Sequence, residues 1–278
     1  MKYFDAHTHL NFVAFNEDRD EAVQRALDAG VGMNIVGTQY DTSLSAVTLA
    51  EKHEGVFATI GLHPIHTGKS YHDEKELGEG GKAFTSRGEE FDMDTYLALG
   101  KNPKVIAVGE CGLDYFRLEA ETKKTQTEAF VQQIELANKL GKPLMLHIRD
   151  GKHVGGAGAY LDALEILKSH AKVRGDTHFF AGDWAVAKKF LDFGFTLSFT
   201  GVVTFTYDYD EVIRNTPLDM LLSETDAPYI TPVPHRGKRN ESMHIPLIVK
   251  RIAEIRGEDF EKVSAQLLSN AQRVFGLK

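Results

Sequence analysis

The residues best suited to metal chemistry recur at the ends of short apolar segments. Asp5, His7 and His9 stand at i, i+2 and i+4 of the first segment, so on a β-strand their side chains point the same way. Two imidazoles on one face can reach a single ion. The remaining candidate ligands follow later apolar segments, and they are Glu110, His147, His178 and Asp226.

Imidazole nitrogens and carboxylate oxygens together suit Zn²⁺, Mn²⁺, Fe²⁺, Co²⁺ or Ni²⁺, and Mg²⁺ if water completes the shell. Each residue considered alone also has an ordinary explanation. Glu110 can cap a helix, an isolated histidine can be a hydrogen-bonded core residue, and Asp226 can begin a turn. Burying all of them together would be costly unless they coordinate an ion, and this favours the metal hypothesis.

Eight segments of strand character alternate with helical segments, which predicts a parallel α/β architecture. Eight is the strand number of a (β/α)8 TIM barrel, and 278 residues with 42% hydrophobic content fit one such domain over residues 1–278. In that fold the strand ends converge on the C-terminal face, where active sites lie. The predicted strands are 2–8, 32–37, 56–61, 105–109, 143–147, 177–180, 195–199 and 220–223.

Helical spacing and capping residues predict helices between and after these strands. In one of them, Phe130, Ile134 and Ala137 form an apolar stripe that predicts packing against the barrel. Segment 65–94 is too long for an ordinary connection and predicts a partly ordered insertion at the barrel rim. Segment 151–158 is rich in glycine but lacks the residues of a P-loop, and it predicts a rim loop. The predicted helices are 17–29, 42–53, 122–140, 159–170, 184–193, 208–215, 243–256 and 260–275.

Charge and composition restrict the class of protein. The formal net charge of -8 argues against a protein that coats nucleic acid with a broad basic field, although a pocket for one phosphate stays compatible. No apolar run approaches the roughly 18 residues that cross a membrane. The first motif begins at Asp5, so we expect no signal peptide and a cytoplasmic location. Nothing indicates an obligate protein partner.

Longer motifs resemble those of the TatD deoxyribonuclease family, within the amidohydrolase-like superfamily. Residues 5–9 (DAHTH) are similar to the family's D-x-H-x-H, and residues 109–115 (GECGLDY) to its G-E-x-G-L-D-Y block. The matches extend from the first predicted strand to residues 270–271. The other matching segments are 60–64 (IGLHP), 146–149 (LHIR), 178–182 (HFFAG), 224–229 (ETDAPY) and 236–241 (RGKRNE).

The resemblance implies a hydrolase with two neighbouring divalent ions, for which Zn, Mg, Mn, Co and Ni are the candidates. Glu110 would bridge the two ions, and Asp226 would also act on the proton of the attacking water, so these two are the candidate catalytic residues. Carried over residue by residue, one ion would be held by His7, His9, Glu110 and Asp226, and the other by Glu110, His147 and His178.

Basic residues near the motifs are candidate substrate contacts. Arg149 lies two residues beyond His147 and can offer a fixed cation to a phosphate, with an ion pair as the alternative. Residues 236–239 form the densest basic cluster, which suits a nucleic-acid backbone or a solvated loop. The candidate substrate contacts are His63, Arg149, Arg236, Lys238 and Arg239, and the candidates for orienting the metal ligands are Asp5 and Glu224.

We therefore expect a deoxyribonuclease that removes nucleotides from a single-stranded DNA end, because a recessed barrel mouth accepts a frayed strand more easily than continuous duplex. One alternative is a metal-dependent deacylase or lactonase, since the same barrel and ligands support ester or amide hydrolysis. A second is a metal-binding protein without catalysis. The placement of Asp226 beside the ligands argues against it, because structural sites are normally closed by protein ligands.

Overall fold

Eight parallel strands form one sheet in which spatial order follows chain order. The computed structural model describes residues 1–69, 71–72, 84–86, 88–116, 120–151 and 158–277. The His9 amide donates to the Ala227 carbonyl at 2.7 Å and the Asp226 amide to the His7 carbonyl at 2.9 Å, which joins the first and last strands. The predicted (β/α)8 TIM barrel is confirmed. The strands are β1 (Tyr3–Thr8), β2 (Val31–Val36), β3 (Val56–Ile60), β4 (Val105–Asp114), β5 (Leu144–Arg149), β6 (Gly175–Thr177), β7 (Thr196–Phe199) and β8 (Leu221–Ser223).

Helices connect the strands and surround the sheet. The predicted helices are present with small differences at their ends, whereas α3 was missed because the sequence analysis assigned its first residues to the rim insertion. The helices are α1 (Arg19–Asp28), α2 (Tyr40–Glu51), α3 (Met93–Gly100), α4 (Ala120–Leu140), α5 (Gly158–His170), α6 (Trp184–Asp192), α7 (Asp210–Asn215), α8 (Ile245–Arg256) and α9 (Phe260–Phe275).

Local chemistry sets several helix boundaries. The side chains of Asp92, Asp183 and Asp259 accept hydrogen bonds from backbone amides of the first turns of α3, α6 and α9. Gly257 and Gly276 end α8 and α9 in the left-handed conformation, with φ of 64° and 65°. The predicted bounds of α9 agree with the observed ones because both of its ends carry such a signal.

Apolar helix faces cover the outside of the sheet. Phe130, Ile134 and Ala137 of α4 are fully buried, as their spacing predicted. At β1, Phe4 contacts Phe275 of α9, with ring centroids 5.9 Å apart. Each fully buried aromatic or aliphatic side chain of this kind contributes about 1.5–3 kcal/mol. The packed helices and sheet form the apolar part of the barrel, and the polar site residues lie at the strand ends.

The predicted rim insertion is described only in part. It contains a 3-10 turn at Pro64–His66 and a short antiparallel ladder that pairs Tyr71–His72 with Phe84–Thr85. Residues 70, 73–83 and 87 lie outside the described residues, so the insertion stays a prediction. The glycine-rich loop predicted at 151–158 also lies outside them at residues 152–157. Among the described residues, no helix is long and apolar enough to cross a membrane.

Candidate metal centre

The C-terminal strand ends bring the six predicted ligands together. His7 lies in β1, Glu110 in β4 and His147 in β5. β6 ends at Thr177, so His178 follows this strand instead of lying within it, as the sequence analysis had placed it. Two further candidate ligands follow β1 and β8, and they are His9 and Asp226. The prediction that one end of the barrel collects these residues agrees with the structure.

Glu110 lies between two sets of imidazoles, with a different oxygen facing each set. Its Oε2 lies 3.4 Å from His7 Nε2 and 3.7 Å from His9 Nε2. Its Oε1 lies 2.8 Å from His147 Nδ1 and 3.7 Å from His178 Nε2. One buried carboxylate is therefore placed to serve two neighbouring positions.

A break in the pairing of β4 directs Glu110 toward the centre. The register of β4 against β5 shifts between Gly109 and Cys111, as at a β-bulge, which re-aims a side chain. Gly109 has a φ of 152°, and a side chain there would collide with the carbonyl of Met145. Glycine is thus required beside Glu110 by both conformation and space.

On the Oε2 side of Glu110, one cluster of potential ligand atoms consists of His7, His9 and Asp226. The two Nε2 atoms lie 3.1 Å apart, and Asp226 Oδ1 lies 3.8 Å from that of His7 and 3.5 Å from that of His9. Ligand atoms of a tetrahedral ion with bonds of 2.0–2.1 Å stand about 3.3 Å apart. The observed spacing therefore fits donors around a single divalent ion. Asp226 has a left-handed backbone, with a φ of 54°, of the kind that collects at functional sites.

Partners outside the centre lie against one nitrogen of three histidine rings. His9 Nδ1 donates to the Val36 carbonyl at 2.9 Å, so the neutral ring presents Nε2 as a lone pair toward the centre. His147 Nε2 lies 2.9 Å from Asp114 Oδ2, and His178 Nδ1 forms an ion pair with Glu224 Oε1 at 2.9 Å. Such partners orient the rings as candidate metal ligands.

Asp114 is a site residue that the sequence analysis missed. The strand was predicted to end at 109, whereas β4 continues to Asp114. Glu110 and Asp114 are separated by four residues on an extended strand, and this spacing is the signal that would have placed both near His147. Burial alone would lower the pKa of His147, but its bonds to Asp114 and Glu110 raise it to about 9.

His63 also faces Glu110, but with the opposite ring orientation. Its Nδ1 accepts a hydrogen bond from the Ile65 amide at 3.1 Å, so the neutral ring carries its proton on Nε2, 3.4 Å from Glu110 Oε1. Burial and the neighbouring His147 lower the pKa of His63 to about 4. His63 is therefore a neutral donor aimed into the centre, and this suits a contact to substrate better than a bond to metal.

Both central carboxylates are ionised. Burial alone would raise the pKa of Glu110, yet the surrounding imidazoles, including His63 and His7, hold it well below its usual value. Burial also opposes ionisation of Asp226, but its pKa is lowered by His9 and the other nearby histidines. Two negative charges in a buried cluster attract cations.

Potential ligand atoms fall into three groups among the described residues. One group contains His178 together with His7 and Glu110, and the rings of His7 and His178 stack with centroids 3.4 Å apart. This grouping differs from the sequence prediction, which pairs His178 with His147. The groups are His7, Glu110 and His178; His7, His9 and Asp226; and His63, Glu110 and His147.

The two residues predicted to orient the ligands contact the site in different ways. Glu224 Oε1 lies 2.9 Å from Nδ1 of the candidate ligand His178, and Glu224 Oε2 accepts from Ser198 Oγ at 2.8 Å. Asp5 acts through the backbone, since it accepts from the Thr225 amide at 2.8 Å and the His7 amide at 3.3 Å. Asp5 thus ties β1 to the residue before Asp226.

Arg239 belongs to an arginine cluster, which consists of Arg25, Arg239, Asp18 and Glu241. Its guanidinium donates to Asp18 Oδ1 and Oδ2 at 2.7 Å and to Glu241 Oε1 at 2.9 Å. Arg25 binds the same two carboxylates at 2.8 Å. This bonding favours a structural role for Arg239 over the predicted substrate contact, whereas Lys238 beside it is exposed.

The other two predicted cations stack on aromatic rings. The guanidinium carbon of Arg149, at the end of β5, lies 3.9 Å from the ring centroid of Phe116. That of Arg236 lies 3.8 Å from the ring centroid of Phe205. Both side chains belong to strand ends or loops on the face of the metal centre.

Comparisons with known proteins identify the family of the chain. The model of the family described as TatD related DNase matches residues 4–276. The chain belongs to the TatD DNase family. It is 34% identical to the uncharacterized metal-dependent hydrolase YabD of Bacillus subtilis, covering 98% of each chain. It is 33% identical to the 3'-5' ssDNA/RNA exonuclease TatD of Citrobacter koseri, covering 99% of each.

Solved structures of the family share the fold. The crystal structure of YJJV, a TatD homologue of Escherichia coli K12, superposes with a TM-score of 0.82 at 25% identity, covering 100% of this chain and 99% of that one. Family membership and the converging ligands together make the protein a metal-dependent hydrolase. The prediction of such an enzyme, in an amidohydrolase-like barrel, is confirmed at this level.

Proposed function

We propose that the protein is a two-metal phosphodiesterase that removes nucleotides from single-stranded DNA ends. The observation that carries this proposal is that the two carboxylate oxygens of Glu110 face different pairs of imidazoles. Oε2 faces His7 and His9, and Oε1 faces His147 and His178. A carboxylate that bridges two ions needs this arrangement. Two-metal sites are common among nucleases and phosphatases.

We assign the donors to the two ligand sets that the resemblance implied, while the structure brings His178 nearer to His7 than to His147. The first set has four donor atoms at spacings suited to one ion, and the second has imidazoles on both sides of Glu110 Oε1. Zn, Mg, Mn, Co and Ni all accept such mixtures of nitrogen and oxygen. The sets are His7, His9, Glu110 and Asp226 for one ion, and Glu110, His147 and His178 for the other.

The chain supplies the proton transfer and the positioning. Divalent ions would provide a nucleophilic water at neutral pH and would stabilise negative charge on the phosphate. The surrounding histidines lower the pKa of Asp226, which favours its ionised form, and in this proposal Asp226 accepts the proton of the attacking water. His63 presents its Nε2 proton to the same region and donates to a phosphate oxygen. Arg149 adds a cation at the end of β5.

The substrate assignment draws on chemistry and on relatives. A relative that is 33% identical over 99% of this chain is a 3'-5' ssDNA/RNA exonuclease. The net charge of -8 disfavours wrapping of a long duplex, so binding must depend on local cations near the mouth. A strand end that enters a recessed site meets this requirement.

A substrate and metal screen tests the proposal. The protein is stripped of metal, reloaded separately with Mg²⁺, Mn²⁺, Zn²⁺ or Co²⁺, and assayed on end-labelled single-stranded DNA, duplex DNA, RNA, and carboxylic ester and amide substrates. We expect stepwise shortening of single-stranded DNA that requires added metal. Asp226→Asn, purified in parallel, controls for a contaminating nuclease. Ester or amide turnover without phosphodiester cleavage would instead establish the deacylase or lactonase alternative.

A further inference from the structure

The loop after β7 exposes two aromatic side chains. Phe205 is 42% exposed and Tyr207 is 79% exposed, and among the residues whose burial the structure describes no other Phe, Tyr or Trp is as open to solvent. The sequence contains 17 Phe, 9 Tyr and 1 Trp, and these two are therefore exceptional among them in their exposure where burial is described. Because this loop follows a barrel strand, it lies on the face that carries the metal centre.

A neighbouring loop adds a stacked cation. Arg236, from the loop after β8, places its guanidinium 3.8 Å from the ring centroid of Phe205. The two loops are joined where the Val233 amide donates to Thr204 Oγ1 at 2.9 Å. They also approach closely at Gly201, where any side chain would collide with the backbone of the second loop. We use the name stacking platform for Phe205 with its stacked Arg236, together with Tyr207, which is exposed two residues further along the same loop.

The loop that supplies Arg236 is anchored at the strand end that carries the proposed catalytic base. The loop that carries Arg236 begins at Asp226, whose carbonyl accepts from the Tyr229 amide at 2.9 Å. Asn240 Nδ2 donates to the carbonyls of Thr225 at 3.0 Å and Tyr229 at 2.7 Å. This bonding fixes the loop to the strand end. A ligand that is held on the platform is therefore held relative to the metal centre.

We propose that the stacking platform binds an unpaired nucleobase of the strand whose end occupies the metal centre. This inference rests on the proposed function. Exposed aromatic rings together with arginine are the usual means of binding single-stranded nucleic acid, because every base offers a π-face. Arg236 and Lys238 supply positive charge for the adjacent backbone in a protein of net charge -8. Bases within a duplex are stacked and paired, so the platform selects a single strand.

Binding to metal-free protein tests the platform independently of catalysis. Fluorescence anisotropy compares labelled oligo-dT with an abasic strand of equal length, which keeps the phosphates but lacks the bases. We expect the wild-type protein to prefer oligo-dT. Phe205→Ala should lower that preference about tenfold, within the range for loss of one base–aromatic stack. Phe205→Trp keeps a ring and should retain the preference.

A matched variant controls for general effects on the surface. Leu161 in α5 has the same 42% exposure as Phe205 but lies on the outer wall, so Leu161→Ala should leave the preference unchanged. Equal binding of both strands by the wild-type protein would overturn the platform. So would an equal loss for both strands in Phe205→Ala.

The platform and the proposed function fail in different ways. If no DNA or RNA strand is cleaved with any metal, the nuclease proposal falls, and the platform falls with it as a substrate site. If single strands are cleaved but the ratio of kcat/KM for oligo-dT over the abasic strand stays the same in Phe205→Ala, only the platform falls. A drop of that ratio by about tenfold supports both.

Discussion

The metal centre and the arginine cluster both concentrate charged residues near the barrel mouth, but they differ in how those residues are paired. In the arginine cluster, Arg25 and Arg239 are bonded to Asp18 and Glu241 at 2.7–2.9 Å, and each charge has a partner of opposite sign. In the metal centre, Glu110 Oε1 contacts His147 Nδ1 at 2.8 Å, but Glu110 Oε2 and its nearest imidazole nitrogens stay 3.4–3.7 Å apart. The first group is complete within the protein, whereas the Oε2 side of the second has a spacing that suits an ion.

This difference shows how a cluster of charged residues reveals its role. Paired charges satisfy one another and need no ligand, and a partly exposed network of this kind adds modest stability. Imidazoles whose outer nitrogens are already bonded can present only lone pairs to the centre when neutral. The direction of the free donor atoms, more than the number of charged residues, separates a ligand site from a structural one.

Loss of the bridging carboxylate should have the largest effect. Glu110→Gln removes the charge that both ligand sets share, so both ions should bind weakly. Turnover should fall by at least about 10⁴-fold, the upper end of single general-base effects, because the contributions of both ions are lost together. Metal titration followed by elemental analysis gives the number of ions bound.

His178→Ala is the matched comparison for Glu110→Gln. This variant removes a donor that is assigned to one ion, so it should weaken one site and leave the other occupied. The structure stacks His178 on His7, which makes the comparison informative about which ion His178 serves. Identical loss of a single ion in both variants would contradict the bridging role of Glu110.

Asp226→Asn should separate chemistry from metal occupancy. Asparagine keeps the size and one oxygen ligand but loses the charge and the basicity, so turnover at saturating metal should fall about 10²–10⁴-fold. Folding and substrate binding should change far less. Steady-state kinetics with metal content measured on the same sample give the result, and near-parent turnover in a folded, metal-loaded variant would exclude Asp226 as the base.

Asp114→Asn tests a partner that lies outside the ligand sets. The asparagine amide would donate to His147 Nε2, and the neutral ring would then carry its proton on Nδ1, which faces Glu110. Loss of such an orienting partner typically costs about 10–100-fold in metal affinity or activity. Metal affinity measured by competition with a chelator checks this, and Asp162→Asn, at a partly exposed position paired with Lys123, is the control. Equal affinities in the two variants would count against the orienting role.

The pH dependence of metal binding should follow His147 and His178. Nearby carboxylates outweigh burial and raise the pKa of His147 to about 9 and that of His178 to about 10, above the unfolded value near 6.5. Metal must displace these protons, so affinity should rise with pH up to about 9, by about tenfold per unit for each proton displaced. In metal-free protein the same protons stabilise the fold.

The stability of the metal-free protein should fall as pH rises, whereas metal affinity should rise, and this provides a second check of the two pKa values. The contribution of the two protonated histidines is fully present below pH 6.5, and it is lost as pH rises through about 9 and then 10. Denaturant unfolding without metal should therefore show a falling free energy between pH 7 and pH 10. Metal affinity that is constant over pH 6–8 would contradict the linkage.

The sequence was enough to predict the barrel and its ligands because both depend on local patterns. Alternation of strands and helices gives the fold, and the Asp5 to His9 spacing places two imidazoles on one face. Asp114 was missed because the predicted strand ended at residue 109. The bulge at Glu110 interrupts the regular alternation of side chains, but the strand continues beyond it to Asp114. The ion pairs of Arg239 could not be predicted for another reason. Its partner Asp18 is 221 residues away in sequence, and only the folded chain brings them together.

The smallest expected effect concerns the arginine cluster itself. Arg239→Gln keeps much of the side-chain length but removes the charge that binds Asp18 and Glu241, and Arg25 remains to pair with both carboxylates. Because Arg239 is 30% exposed, solvent screens the lost attraction, and we expect a decrease of about 1 kcal/mol in the free energy of unfolding. Turnover on single-stranded DNA should stay within about twofold of the parent, since an effect below about 0.4 kcal/mol on the transition state is of that size.

Lys238→Gln, in the same loop but with an exposed side chain, is the matched variant and should leave stability unchanged. Denaturant unfolding and the salt dependence of KM distinguish the two roles: a KM that rises strongly and only at low salt in Arg239→Gln would show that Arg239 binds the phosphate backbone, and the distinction drawn between the two clusters would be wrong.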